Sequence, residues 1–229
     1  MELLHNGFTL LTPDGTFPLS TDSMLLADFV RLGQNARILD LGSGCGTLGL
    51  LLCAKDASCH VTGIELDETA HEAALENIRR NRLDLRMESI FGDLRQLNQT
   101  GSPGSYTCCV SNPPYFHGGE AHRQTPLARS TESCSTEELF AAAKWALKYG
   151  GDLFLVHKPA ALAALCAQAS MAGLEPKRLC LVRHSPHKPI STLLLHCRKG
   201  GKPGLTLEEL CLFDATGAPT PEYRKIYHL

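Results

Sequence analysis

The chain has 229 residues, 43% hydrophobic and 20% charged, with a formal net charge of -2; that is enough apolar material for one core and excludes a disordered or low-complexity chain. Its ten cysteines lie scattered in apolar runs without a C-x-x-C pair, so they are expected as reduced packing residues, neither a disulfide framework nor a metal site. No apolar run approaches the ~20 residues that span a bilayer, and residues 1–14 lack the basic segment and apolar stretch of a leader, so a cytoplasmic protein is expected.

In chain order, residues 1–35 read as an N-terminal extension, and from Ala36 short apolar runs alternate with longer amphipathic ones, the rhythm of strands and crossover helices in a parallel sheet. Strands are predicted at Arg37–Leu41, His60–Glu65, 85–91, Tyr106–Ser111, 153–156, 179–182 and 192–197. Helices are predicted at Thr47–Lys55, at 68–82 with Asp67 as N-cap, at 136–148 ended by Gly150 and Gly151, and at 160–172. The last two strands lack a helix between them and read as an antiparallel hairpin. The expectation is one α/β domain over 1–229, a Rossmann-like, seven-stranded, mostly parallel sheet at 36–197, with a basic loop and tail at 198–229. Residues 116–133 are long and polar for a connection and are expected as a substrate lid.

Between the first strand and helix, Asp40-Leu41-Gly42-Ser43-Gly44-Cys45-Gly46 supplies glycines where the backbone must turn tightly and approach a ligand. The dinucleotide fingerprint G-x-G-x-x-G would place its third glycine at 47, which is Thr47, so a pyrophosphate ligand fits poorly. A ligand without one, such as S-adenosylmethionine, fits better: its amino-acid end could take backbone N–H groups of the turn while Asp40 faces its ammonium. Glu65, with Leu66 beside it, ends the second strand, where a carboxylate can accept from both ribose hydroxyls. Gly92 and Asp93 close the third strand at the same edge. Ligands of open α/β sheets bind outside the carboxyl ends of the strands, and Asp40, Glu65, Asp93 and Asn112 all fall there. Each alone could be a cap, a turn residue or a solvated strand end; the ordered set favours a methyltransferase.

Asn112-Pro113-Pro114-Tyr115 follows the fourth strand. Its prolines fix the backbone and bring no N–H groups of their own. The Asn112 amide oxygen and the Pro113 carbonyl can accept both hydrogens of a planar NH₂ group, and Tyr115 can stack on the flat group that carries it. Such an amine would attack the methyl sulfonium in line, a reaction in which positioning supplies most of the rate. The tetrapeptide holds no carboxylate base, so the proton is expected to leave to water after transfer.

These residues resemble the class I S-adenosylmethionine-dependent methyltransferases that methylate exocyclic amines through an N-P-P-Y motif, and among them the family of the bacterial valine-tRNA adenine-N6 methyltransferases. The likeness extends to residues 17–29, 40–48, Ile64 and Glu65, 112–116, 199–203 and 221–227. It implies a seven-stranded Rossmann-like sheet, S-adenosylmethionine with S-adenosylhomocysteine as product, and Thr21 and Asp22 near the methionine end of that cofactor. An adenine of tRNA is implied as acceptor. Guanine N2, a protein glutamine, or a binding module without turnover remain alternatives, although glutamine methyltransferases carry a helical domain before the glycine-rich turn and only 36 residues precede the first strand here.

Charge is uneven along the chain: residues 176–229 hold nine Lys and Arg against four Asp and Glu, leaving 13 against 20 in the rest. RNA is therefore expected along the basic stretch carrying Arg178, Arg183, Lys188, Arg198, Lys199 and Lys202. His184 and His187 flank Pro186 and are expected as loop residues near phosphate, not ligands; no metal site and no oligomer beyond a monomer are expected.

Overall fold

The computed structural model describes residues 2–4, 7–113 and 134–228. A short antiparallel pair, β1 (Glu2–Leu3) and β2 (Thr9–Leu10), precedes helix α1 (Thr21–Phe29). The sheet begins at β3 (Arg37–Leu41) and alternates with α2 (Thr47–Lys55), β4 (His60–Glu65), α3 (Glu68–Arg80) and β5 (Met87–Phe91). After a short helix α4 (Leu97–Thr100) come β6 (Tyr106–Ser111), α5 (Thr136–Ala146), β7 (Leu147–His157) and α6 (Leu162–Met171). The chain closes with β8 (Leu174–Arg183), β9 (Ile190–Lys199), β10 (Thr206–Cys211) and α7 (Pro221–Tyr227).

Eight strands form the main sheet, in the order β10-β8-β9-β7-β6-β3-β4-β5. Only β9 runs against its neighbours, so the predicted hairpin is present, but the predicted count of seven is corrected to eight. The additional strand is β10, which pairs parallel with the outer edge of β8. Its sequence, Thr-Leu-Glu-Glu-Leu-Cys, has leucines at helical spacing and no alternation, in keeping with a strand none of whose residues is buried on either face. What holds it is tertiary: Glu208 takes Arg178 at 2.9 Å and Glu209 takes Arg183 at 3.3 Å across the strand pair.

Two apolar layers cover the sheet. On one face Ile38, Val61, Val110, Phe154 and Val182 pack against α1, α2, α3 and Ile226 of α7. On the other, Leu39, Leu41, Cys109, Leu153 and Leu195 pack against α5, α6 and Leu97. Alternate residues of β3 thus face opposite layers, as strand geometry requires. Phe140 is fully buried in the second layer, and Trp145 packs against that layer. Seven of the cysteines are buried and all ten are free thiols, in keeping with the packing role expected of them.

Caps set the helix ends. Asp67 accepts from the Ala70 N–H at 2.7 Å, as predicted, and Ser135 with Glu138 forms a reciprocal capping box on α5. Helix α5 stops at Ala146, two residues short of the expected end, since Leu147 already pairs with Tyr106 as strand. Chain order reverses between β3 and β6, which lie side by side although β4 and β5 come between them in sequence. Crevices at such reversals are where open α/β sheets bind ligands. Among the described residues no helix is long and apolar enough to cross a membrane.

Candidate active site

The turn after β3 carries three glycines in the left-handed region, Gly42, Gly44 and Gly46 at φ 74°, 54° and 82°, a conformation that costs a Cβ-bearing residue ~1–2 kcal/mol each. At Gly46 a Cβ would also lie 2.8 Å from Met87 Cε, so the flexible end of that methionine would have to shift. The backbone donors of the turn are engaged within the protein. Gly42 and Ser43 both donate to the Ile64 carbonyl at 3.0 Å, and Gly46 donates to Ser43. Gly44 donates to Glu65 Oε2 at 2.7 Å. The N–H groups of Gly42, Ser43 and Gly44 thus hold β4 and Glu65, and the turn presents a close-approach surface.

Glu65 is gripped from both sides, because the Asp67 N–H donates to Oε1 at 2.8 Å. Its carboxylate is fixed at the end of β4 with each oxygen carrying one backbone N–H, which leaves accepting capacity on both. Beside it, Leu66 and Phe91 expose apolar surface at the ends of β4 and β5, with Phe91 set against the His71 ring at 5.7 Å. Gly92 donates to the Glu65 carbonyl. Asp93 is half-buried, caps the following turn and chelates Arg95, which holds its carboxyl below the usual range.

Asp40 stands apart. It is 1% exposed, and among the described residues neither carboxylate oxygen has a hydrogen-bond partner. Burial, aided by the Glu65 charge, pushes its pKa up to about 8. A buried carboxyl group without a partner is expensive for a fold to keep and points to a cation that arrives from outside.

Across the reversal, β6 ends at Ser111, whose hydroxyl donates to the Leu41 carbonyl at 2.8 Å and ties β6 to β3. Asn112 follows, half-buried, and its amide NH₂ donates to Ser23 Oγ at 3.1 Å. That bond gives the amide oxygen the accepting role. The first turn of α1 is seated at this edge: Ser20 caps it, Thr192 of β9 donates to Asp22 Oδ1 at 3.0 Å, and Lys158 reaches Asp22 Oδ2 at 3.5 Å. Ser23 thus brings the first turn of α1, which also carries Thr21 and Asp22, against Asn112. Pro113 lies within the described residues; Pro114, Tyr115 and the expected lid at 116–133 lie outside them.

Sequence reasoning missed the polar clamp behind the turn. Asn77, fully buried on α3, accepts from the Leu11 N–H at 2.7 Å and donates to the carbonyls of Leu11 and Cys45, each at 2.9 Å. One turn on, Asn81 holds Thr9 in the same way. Together they fasten the N-terminal segment to the glycine turn. The signal was present, since Asn77 lies on the apolar face of an amphipathic helix with Ala70, Ala73, Ala74 and Ile78, where an asparagine needs partners.

The model of the methyltransferase small domain family matches residues 19–166. The chain belongs to this family. A tRNA1(Val) (adenine(37)-N6)-methyltransferase of Photobacterium profundum is 30% identical over 202 residues, which cover 86% of this chain and 84% of that protein. Among solved structures, one described as a predicted O-methyltransferase from Agrobacterium tumefaciens aligns with a TM-score of 0.75 at 23% identity, over 91% of this chain and 96% of that one. Geranyl diphosphate C-methyltransferase from Streptomyces coelicolor, crystallised with S-adenosyl-L-homocysteine, aligns at 0.56 with 13% identity, over 77% and 74%; at these identities the likeness is one of fold. This methyltransferase is S-adenosylmethionine-dependent, and the chemistry of the site fits that donor: an unpaired buried carboxyl for an ammonium, a bidentate acceptor for ribose hydroxyls, and an exposed apolar rim for a purine.

The same geometry corrects the basic surface expected for RNA. Because β9 runs against β7, Arg198 and Lys199 lie at the opposite edge of the sheet from Asn112, and Lys202 follows them there. Arg198 pairs with Asp152 at 2.8 Å, and Lys199 donates to the carbonyls of Lys144 and Leu147, capping α5. Arg178 is committed to Glu208. Of the six residues named from charge, only Arg183 and Lys188 stand at the edge that carries the site.

Proposed function

We propose that this methyltransferase places its methyl group on the exocyclic N6 of an adenine in tRNA, with Asn112 and the Pro113 carbonyl holding the amine. The observation that carries the reading is Asn112 itself: it stands at the end of β6, at the sheet edge that also carries Asp40 and Glu65, and its NH₂ is given to Ser23, which casts its amide oxygen as an acceptor. An acceptor amine needs hydrogen-bond acceptors and an in-line approach, and the described part of this edge offers that in place of a general base. The relatives named for adenine 37 of tRNA1(Val) support the base and the RNA class.

S-adenosylmethionine supplies an activated methyl group on a sulfonium. The chain's own residues do the rest. Asp40 takes the ammonium, with Thr21 and Asp22 near the methionine end. Glu65 takes the ribose hydroxyls, Leu66, Phe91 and Asp93 flank the purine, and the Gly42 to Gly46 turn allows the ligand to approach. The Asn112 amide oxygen and the Pro113 carbonyl accept the two N–H hydrogens, which shifts electron density toward the attacking nitrogen, and Tyr115 is assigned to stacking on the base. The proton passes to water. A transcript of tRNA carrying guanine for the adenine at position 37 tests the assignment: label from the donor should enter the unsubstituted transcript and not the substituted one. Equal labelling of both would place the acceptor elsewhere.

A further inference from the structure

We infer that exposed His184, the outer end of a column of four aromatic rings running from the site to the β8–β9 turn, is a stacking platform for an unpaired nucleotide beside the target base. The inference rests on the RNA reading above and adds a surface to it. His184, Phe213, Tyr223 and Tyr227 follow one another with ring centroids 4.6, 4.9 and 4.4 Å apart, the last pair nearly parallel at 19°. At its inner end the column joins the site, for Tyr227 stands beside the Thr21 side chain, and Thr21 opens the helix turn whose Ser23 holds Asn112. At its outer end His184 is exposed in the turn between β8 and β9.

Strand directions place that turn at the carboxyl edge. Strand β7 runs parallel to β6, β9 runs against β7 and β8 against β9, so the end of β8 and the end of β6 face the same way. Packing explains part of the column, since Tyr223 and Tyr227 lean on the core with Ile226. It does not explain why an exposed histidine continues the stack. The turn also concentrates positive charge: Arg183 and Lys188 flank His184 and His187, with no acidic residue between 183 and 190, although Glu209 pairs with Arg183. The inner rings are packed on one another and brace His184, whose exposed ring can take a base while the cations beside it take phosphates, the pairing of chemistries that binds single-stranded nucleic acid. A duplex offers no free base faces, so the occupant is an unpaired strand whose target base lies at Asn112 and whose neighbours reach His184 within a few nucleotides.

The test compares His184→Ala, His184→Phe and Lys188→Ala with the parent enzyme, using an anticodon stem–loop RNA and a fully paired stem of equal length. His184→Ala should weaken stem–loop binding about tenfold, the range of one lost base stack, and raise the KM for that RNA by a similar factor. His184→Phe should restore both, and affinity for the paired stem and for S-adenosylmethionine should stay at the parent's values. Lys188→Ala should lower the slope of log affinity against log salt by about 0.7–0.9. A His184→Ala enzyme that binds and methylates the stem–loop as the parent does overturns His184 as a platform, and so does equal weakening on the paired stem. A parent that methylates no RNA at all overturns the underlying reading as well.

Discussion

Replacing Asp40 by asparagine separates what this carboxyl costs the fold from what it gives the ligand. Its pKa rises from 3.8 to about 8 through burial, so between those values the unfolded chain is ionised at this position while the folded chain holds a proton. Folded protein therefore binds more protons than unfolded, and stability falls with rising pH across the window, by at most ~1.4 kcal/mol per unit. Above about 8 the loss is complete; below about 4 the group contributes none. Asparagine does not titrate, so the variant's advantage over the parent should widen as pH rises. For a domain of this size ~1 kcal/mol moves Tm by about 2–4 °C, which makes the gap grow by roughly 5–10 °C between pH 5.5 and 7.5. The unpaired amide has its own cost, but that cost is independent of pH. Cofactor binding completes the argument, because an ammonium needs the carboxylate: the parent should release close to one proton on binding near pH 7, measured by calorimetry in buffers of different ionisation enthalpy, and Asp40→Asn should release none and bind more weakly. A Tm gap that stays flat from pH 5.5 to 8, together with binding that releases no proton, would refute the assignment of Asp40 to the ammonium.

Three further outcomes follow from the same geometry. Glu65→Ala removes the acceptor fixed by Gly44 and Asp67 and should weaken S-adenosylmethionine by about 1.5–3 kcal/mol, read by calorimetry; unchanged affinity would remove Glu65 from the site. Asn77→Ala leaves the Leu11 N–H and the Cys45 carbonyl without their partner, at ~1–3 kcal/mol per buried group. A drop in Tm is expected with a loss of cofactor affinity, and a variant as stable as the parent would show that the clamp carries no strain. Lys199→Ala combined with Lys202→Ala should leave RNA affinity and its salt slope as they are, because both residues lie at the far edge of the sheet; a flattened slope in a filter-binding titration would put RNA on that edge after all.

Much of the fold was legible because period and punctuation agree. Thr47–Lys55 and His60–Glu65 fall within the predicted bounds, the apolar runs being short between strong turn signals. Strand β10 was hidden because its pairing depends on Arg178 and Arg183, some 25 to 30 residues away, and no local pattern reports a cross-strand ion pair. The site divides along the same line. Asp40, Glu65 and Asn112 were readable from strand ends, whereas Thr192 and Lys158 reach Asp22 only through the sheet order. Charge along the sequence misled for a physical reason: a strand of ten residues carries its basic end some ~33 Å from its other end, so Lys188 and Lys199 belong to opposite edges although they bracket one strand.

The most direct measurement of the central claim is the product formed by the parent and by Asn112→Ala, each saturated with labelled S-adenosylmethionine and given unmodified tRNA. After complete digestion to nucleosides, the parent should yield labelled N6-methyladenosine, and Asn112→Ala should bind the donor normally while forming that nucleoside at least ~100-fold more slowly, the scale of lost positioning in such a site. Label recovered in a guanine or in protein from the parent, or N6-methyladenosine formed at the parental rate by the variant, would contradict it.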